Sequence, residues 1–398
     1  MRTVALTLLT SVALPALALA EPLNLTIVHV NDIDRMEADD DRGGIAKLAA
    51  IIERERAEGG NVLVTHGGDT ISPSLLSGID RGAHMIDLLN TIGIDVMALG
   101  NHEYDFGPEV MTQRVAEARF PVVSANSVTP AGGLPEGVLD HVVFEYGEWS
   151  VGVVGLTTPT TVVRSSPAPV TFADVNETAA AQAEMLRADG VDVVFALAHT
   201  NVSEDEALIA QGAVDFILGG DDHDLRIKWF GGTGFVESNA QANYVTVIDF
   251  VFEKTPRRDG SERLVWAADY EVVETTDVVP SATATAAVGV YVAALDSALN
   301  VAIGTTETPL DTRRPSVRGG ETAFGNLLAD AMREAVGADV AITNGGGIRA
   351  DKEYAAGTTL TRRDIQSELP FGNRTVLLEL SGADVLAALE NGVSRVED

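Results

Sequence analysis

No cysteine occurs among the 398 residues, which excludes disulfide scaffolds, thiolate metal sites and cysteine nucleophiles. Basic residues are scarce as well, 27 Lys+Arg against 59 Asp+Glu, for a formal net charge of −32. That balance repels phosphate backbones and anionic membrane surfaces, so no nucleic-acid polymer is expected as a partner. Beyond the N-terminus the chain lacks an apolar run of spanning length, and no membrane span is expected. What remains is 45% hydrophobic, enough for sizeable cores and too much for a disordered chain. At roughly 100–200 residues per domain, the length suggests two or three domains.

The first twenty residues, MRTVALTLLTSVALPALALA, read as an export signal. Arg2 gives the positive start, Val4 to Leu14 the apolar stretch, Pro15 a break, and Ala18-Leu19-Ala20 the small-residue cleavage pattern. The expectation is an exported, periplasmic protein beginning near Glu21.

From residue 21 to 274, short β runs alternate with helical stretches. Leu25–Val30, Val62–Thr65, Asp95–Leu99, Val191–Ala198 and Val214–Leu218 are brief apolar runs of the kind that make covered strands. Ile45–Ala57, Ala83–Ile92 and Asn176–Ala188 have helical spacing. Paired strands are expected at His141–Tyr146 with Trp149–Leu156, and at Tyr244–Phe252 with Leu264–Val273. An α/β layered domain follows, with ligands expected beyond the carboxyl ends of its strands. Residues 275–300 are Ala-rich and helical, and mark an interdomain segment where a hinge is expected. Residues 301–398 begin a second, smaller α/β unit. It should hold a helix over Ala323–Ala335, strands at Val340–Ile342 and Thr375–Leu380, and a helix over Gly382–Gly392.

Polar residues gather where the apolar runs stop: His29-Val30-Asn31-Asp32-Ile33-Asp34, His66-Gly67-Gly68-Asp69-Thr70, Gly100-Asn101-His102-Glu103-Tyr104-Asp105, His199-Thr200-Asn201 and Gly219-Gly220-Asp221-Asp222-His223. Each alone reads as a turn or a surface histidine, but five strand ends in one α/β sheet can converge on one crevice. In this order the set resembles the calcineurin-like metallophosphoesterases, and within them the bacterial periplasmic 5′-nucleotidase/UDP-sugar hydrolase family. GETAFGNLLADAMR, ADVAITNGGGIRAD and LPFGN are similar to that family's substrate-binding C-terminal domain.

The resemblance implies a four-layer αββα sandwich with a second α/β domain, and metal-dependent hydrolysis of nucleotide phosphate esters. It also implies two divalent metal ions with Asp69 as the bridging carboxylate. Asp32 and His223 match ligands of the first ion, Asn101 and His199 ligands of the second. His102 and Asp105 match a His–Asp dyad in which a cationic imidazole protonates the leaving oxygen. Arg318, Asn344, Arg349 and Phe371 match positions used on the nucleotide, with Phe371 stacking on the base.

The chain departs from the pattern twice at the metals. Asp34 and Asp221 stand where the family has histidine ligands. If both bind metal, Asp32, Asp34, Asp69 and Asp221 carry −4, which two divalent cations neutralise, and the oxygen-rich shell favours Mn or Mg over Zn. A third departure is the end of the chain at Asp398, before the second base-stacking aromatic expected of the family, so the C-terminal domain reads as incomplete. These departures motivate the alternative of a non-catalytic periplasmic metal- or nucleotide-binding protein.

Overall fold

The computed structural model describes residues 21–259, 261–370 and 373–394. The export signal expected at 1–20 and the stacking residue Phe371 lie outside the described residues.

The short apolar runs form the middles of two mixed sheets. One orders its strands Glu262–Glu274, Tyr244–Pro256, Leu23–Val30, Asn61–His66, Val96–Ala98, Val122–Val123 and Val138–Leu139. The other runs Leu225–Phe230, Thr233–Ser238, Phe216–Gly220, Val193–His199, Trp149–Thr157 and His141–Tyr146. Most inner neighbours pair in parallel, but Leu23–Val30 runs antiparallel to Tyr244–Pro256, as do the hairpins.

Because successive strand residues point to opposite faces, each inner strand feeds two cores. Leu25, Ile27, Leu63 and Val96 of the first sheet share a buried cluster with Val151, Val153, Phe195 and Phe216 of the second. Within it the Phe216 and Phe250 rings meet edge-on with centroids 5.1 Å apart. The alternate residues of the first sheet, Val28, Val30, Val64 and Met97, pack with helices Ile45–Glu58 and Ala83–Ile92. Those of the second, Val154, Val194 and Ala196, pack with helices Val175–Ala188 and Val202–Gln211. The layers are therefore α, β, β, α.

Helix Ala282–Leu299 has the length and apolar composition of a membrane span. In the fold, its Ala284, Val288, Leu295 and Leu299 join the cluster beneath the first two helices. Ser281 caps its start and donates to Glu53 at 2.6 Å, and Tyr291 donates to Asp87 at 2.7 Å. The segment expected to lie between the units is thus docked on the first.

The second unit is small. Ala302–Thr305 pairs with Thr359–Thr361, and Leu310–Asp311 with Glu353–Tyr354, around Leu310, Val317, Phe324, Ile348, Tyr354 and Leu360. Helices Ala323–Val336 and Gly382–Val393 form near the expected bounds. Val340–Ile342 and Thr375–Leu380 do not form strands. Neither has a neighbouring strand among the described residues, and a lone extended segment has no ladder to complete; Val340, Ile342, Val376 and Leu378 stand exposed.

Candidate active site

Parallel strands put their carboxyl ends on one side, and the polar clusters follow from that. Asp32 follows Leu23–Val30, Asp69 follows Asn61–His66, Asn101 and His102 follow Val96–Ala98, His199 closes Val193–His199, and Asp221 and His223 follow Phe216–Gly220. Asp32, Asp69, Asp221 and His223 have φ of 54°, 59°, 93° and 60°. Such left-handed backbone costs about 1–3 kcal/mol per residue and persists only where the surroundings impose it. Here the strand ends lock together: Asp32 N–H donates to Gly68 O at 2.9 Å, and Asp221 N–H donates to Asp32 Oδ2 at 3.0 Å. Gly100 permits the closest approach, since a Cβ there would lie 2.1 Å from Asp69 Oδ1.

One organising residue has no counterpart among those singled out in the sequence. The Glu103 carboxylate is buried and accepts four backbone N–H groups: Asp69 at 2.9 Å, Thr70 at 2.7 Å, Ile71 at 3.3 Å and Gly100 at 2.6 Å. It ties the turn carrying Asp69 to the turn carrying Asn101 and His102. Burial and the Asp69 charge push its pKa up, against those hydrogen bonds. Its position inside the His102–Asp105 motif was the available signal.

Asp32, Asp69 and His199 form a compact group whose ligand atoms lie within 4.8 Å of one another. His199 Nδ1 faces Gly67 O at 2.8 Å, which places a proton there and turns the Nε2 lone pair towards the group. That Nε2 is buried without a hydrogen-bond partner, 3.2 Å from Asp69 Oδ2 and 3.2 Å from Asp221 Oδ1. Burial opposes a charged ring, yet Asp69, Asp221 and Asp32 outweigh it and raise the pKa of His199, so that without metal a proton on Nε2 takes the place a cation would occupy. The pocket's field demands a positive charge, and its donor set of carboxylate oxygens and imidazole fits a divalent cation.

Asn101 borders the same group. With its amide nitrogen towards Asp221 Oδ1 (3.0 Å), its oxygen accepts from His102 N–H at 3.2 Å; a cation would select the reverse, with oxygen inward. His223 Nε2 lies 3.2 Å from Asp32 Oδ1, with the ring 57% exposed.

The two departing aspartates are placed differently. Asp34 stands outside the compact group, and its carboxylate accepts from Gln241 Nε2. Burial raises its pKa. Asp221 touches the group through His199, but both of its oxygens also accept from Arg164 Nη1, at 2.6 and 2.7 Å. The charge count made from the sequence therefore omits a cation that the fold supplies. A second acidic cluster, Asp205, Asp222 and Glu237, already surrounds the Arg226 guanidinium at 2.6, 3.2 and 2.5 Å.

His102 and Asp105 form the expected pair, Nδ1 to Oδ2 at 2.6 Å, and Ser165 Oγ donates to the other Asp105 oxygen at 2.7 Å. Burial disfavours the charged ring, but the Asp105 hydrogen bond and the Asp69 and Asp105 charges push His102 up to about 9. Beside them a cleft of about 590 Å³ is lined by Asp34, Arg35, Leu76 and Leu295 from the first unit and by Arg349 and Pro370 from the second. Arg349 lines that cleft together with Asp34, and its backbone N–H donates to Glu368 O at 2.9 Å. Arg318 and Asn344 are exposed and do not line that cleft. They approach each other because Gly345 packs where a Cβ would lie 1.8 Å from Val317 O.

A two-sheet sandwich with carboxylates and imidazoles at the strand ends defines a class of metal-dependent hydrolases. The chain matches the calcineurin-like phosphoesterase family over residues 25–225, and the 5′-nucleotidase C-terminal domain over residues 302–398. It is 29% identical to the trifunctional nucleotide phosphoesterase protein YfkN of Bacillus subtilis, covering 94% of this chain and 28% of that protein. It is 27% identical to the snake venom 5′-nucleotidase of Gloydius brevicauda, covering 94% of this chain and 71% of that one. The solved 5′-nucleotidase precursor from Thermus thermophilus superimposes with a TM-score of 0.67 at 30% identity, covering 94% of this chain and 79% of that chain. The chain belongs to the calcineurin-like phosphoesterases of the 5′-nucleotidase type, a hydrolytic family that works with divalent metal ions.

Proposed function

We propose that the protein hydrolyses phosphate esters of nucleotides, with 5′-nucleotides as the leading substrates and 2′,3′-cyclic nucleotides and nucleotide sugars next. The observation that carries this is His199 Nε2, buried, without a hydrogen-bond partner and aimed between Asp69 and Asp221. Two divalent ions would be held by Asp32, Asp69, Asn101, His199, Asp221 and His223, and when bound they supply Lewis-acid stabilisation of the phosphoryl group. Their oxygen-rich surroundings favour Mn or Mg over Zn. Asp34, turned to Gln241 and lining the cleft, acts on the substrate side rather than as a primary ligand.

His102 is the general acid. Its pKa of about 9 keeps Nε2 protonated at neutral pH, and Asp105 fixes the ring by its bond to Nδ1. The ring can therefore give its Nε2 proton to the departing ester oxygen. Arg349, which lines the same cleft as Asp34, supplies a guanidinium suited to the anionic part of the substrate. Export to the periplasm is part of the same reading and rests on the sequence of residues 1–20.

The test is to incubate purified protein with 5′-AMP, a 2′,3′-cyclic nucleotide and a nucleotide sugar, under Mn, Mg and Zn in turn, and to measure released phosphate or nucleoside. Metal-dependent turnover, strongest with Mn or Mg, is expected. Metal binding without turnover of any of them would replace this reading with that of a binding protein.

A further inference from the structure

The Arg164–Asp221 pair bears directly on how the centre is loaded. Asp221 is 2% exposed at its side chain, and both of its oxygens accept from the same Arg164 nitrogen, at 2.6 and 2.7 Å. Oδ1 of that carboxylate is also the atom 3.2 Å from His199 Nε2. A cation placed between His199 and Asp221 must therefore share or displace the guanidinium. By contrast, Asp32 and Asp69, which share the compact group with His199, make no ion pair with any Lys or Arg among the described residues.

Arg164 is not placed there by chance of a long surface side chain. It ends the short helix Thr161–Arg164, whose backbone is fixed by Thr161 N–H to Thr158 O at 3.2 Å and by Arg164 N–H to Thr160 O at 3.1 Å. Thr161 Oγ1 also donates to Thr158 O at 2.7 Å. Thr158 N–H in turn donates to His199 O at 2.8 Å, so the helix is anchored to the strand that carries the imidazole. Ser165, the next residue, donates to Asp105. The arginine is thus presented on a hydrogen-bonded turn between Asp221 and Asp105, with its side chain 39% exposed to solvent.

We propose that Arg164 is an internal counter-cation that competes with the second divalent ion for Asp221. One ion then binds tightly at Asp32, Asp69 and His223, and the second, between His199 and Asp221, binds weakly because it must first break a charge-assisted pair. This rests on the metal reading given above, but concerns the order and affinity of loading rather than the reaction.

The test is titration calorimetry of the full metal-free chain with Mn, for the wild type, Arg164→Gln and Arg164→Lys. In the wild type we expect one tight ion and a second weaker by at least about tenfold, equivalent to about 1.4 kcal/mol. Arg164→Gln should tighten the second ion by about tenfold and leave the first unchanged. Arg164→Lys should keep the second ion weak, because a single nitrogen makes both contacts and an ammonium can replace it. Asp221→Asn in the Arg164→Gln background should remove the gain. Two ions of equal affinity in the wild type, or a second ion indifferent to Arg164→Gln, overturns the proposal while leaving the metal-dependent hydrolase intact. Absence of any bound ion in all variants overturns both.

Discussion

Single side chains at the centre have sharply different duties. His102 should tolerate removal structurally: in His102→Ala, bound metal is expected to persist while kcat falls by about 10²-fold or more, as checked by metal analysis beside turnover. Its ring is raised from the ordinary 6.5 to about 9 by Asp105 and Asp69 in the metal-free protein; on the proposed role as general acid, cations at Asp69 cancel part of that rise, and rate should decline as pH climbs between 6.5 and about 9. The same shift stabilises the fold fully below the unfolded value of 6.5, and that contribution is lost as pH climbs through about 9. Asp105→Asn removes one of the charges that raise it, so the alkaline limb of the rate profile should move to lower pH; a limb that stays in place removes Asp105 from the dyad. Glu103 is different. One of its oxygens accepts from Thr70 and Ile71, the other from Asp69 and Gly100. A glutamine must therefore turn its NH₂ towards two N–H donors whichever way it lies. Glu103→Gln and Glu103→Ala are both expected to destabilise by at least about 3 kcal/mol, read as the shift in denaturant midpoint; an unchanged midpoint in either would show that the four N–H bonds do not hold the turns.

At the scale of elements, the site is a set of turns that only close approach makes possible. Gly100→Ala should leave the strands intact, since its φ is ordinary, yet force the Asp69 carboxylate from the position where His199 and His102 meet it. The expected result is unchanged far-UV circular dichroism with metal affinity lowered at least about tenfold. Much of this arrangement was legible in the chain. An apolar run followed by Gly and a carboxylate or imidazole marks a covered strand ending at a crevice, and Asp32, Asp69, Asn101, His199 and His223 all come together as that pattern implied. Arg164 was not legible: it sits on a four-residue helix without a motif, 57 residues from its partner Asp221, and only the tertiary fold reveals the pair. The turn of Asp34 towards Gln241, 207 residues away, was hidden for the same reason. The strands expected at Val340–Ile342 and Thr375–Leu380 show the converse limit, since β propensity specifies a strand only where a neighbour offers a ladder.

For the whole molecule, the formal charge of −32 is spread over a fold that crowds several carboxylates at one face of the sandwich. Self-repulsion of this kind is relieved by screening, so the metal-free protein should melt at a higher temperature when NaCl is raised from about 10 mM to about 200 mM. Mn or Mg at matched ionic strength should raise it further, because an ion that binds only the folded state stabilises by mass action; equal melting temperatures with NaCl and with Mn would argue that no ion is specifically held. Leu295 carries a last consequence. It is packed in the core beneath the helices of the first unit, and it also forms part of the wall of the cleft that Arg349 and Pro370 close from the other side. Part of that cleft's wall is thus the inner packing of the first unit. Leu295→Ala should soften both at once, with a loss of about 2–5 kcal/mol in stability accompanied by a higher KM, and a fitting guest should in turn brace the helix from outside.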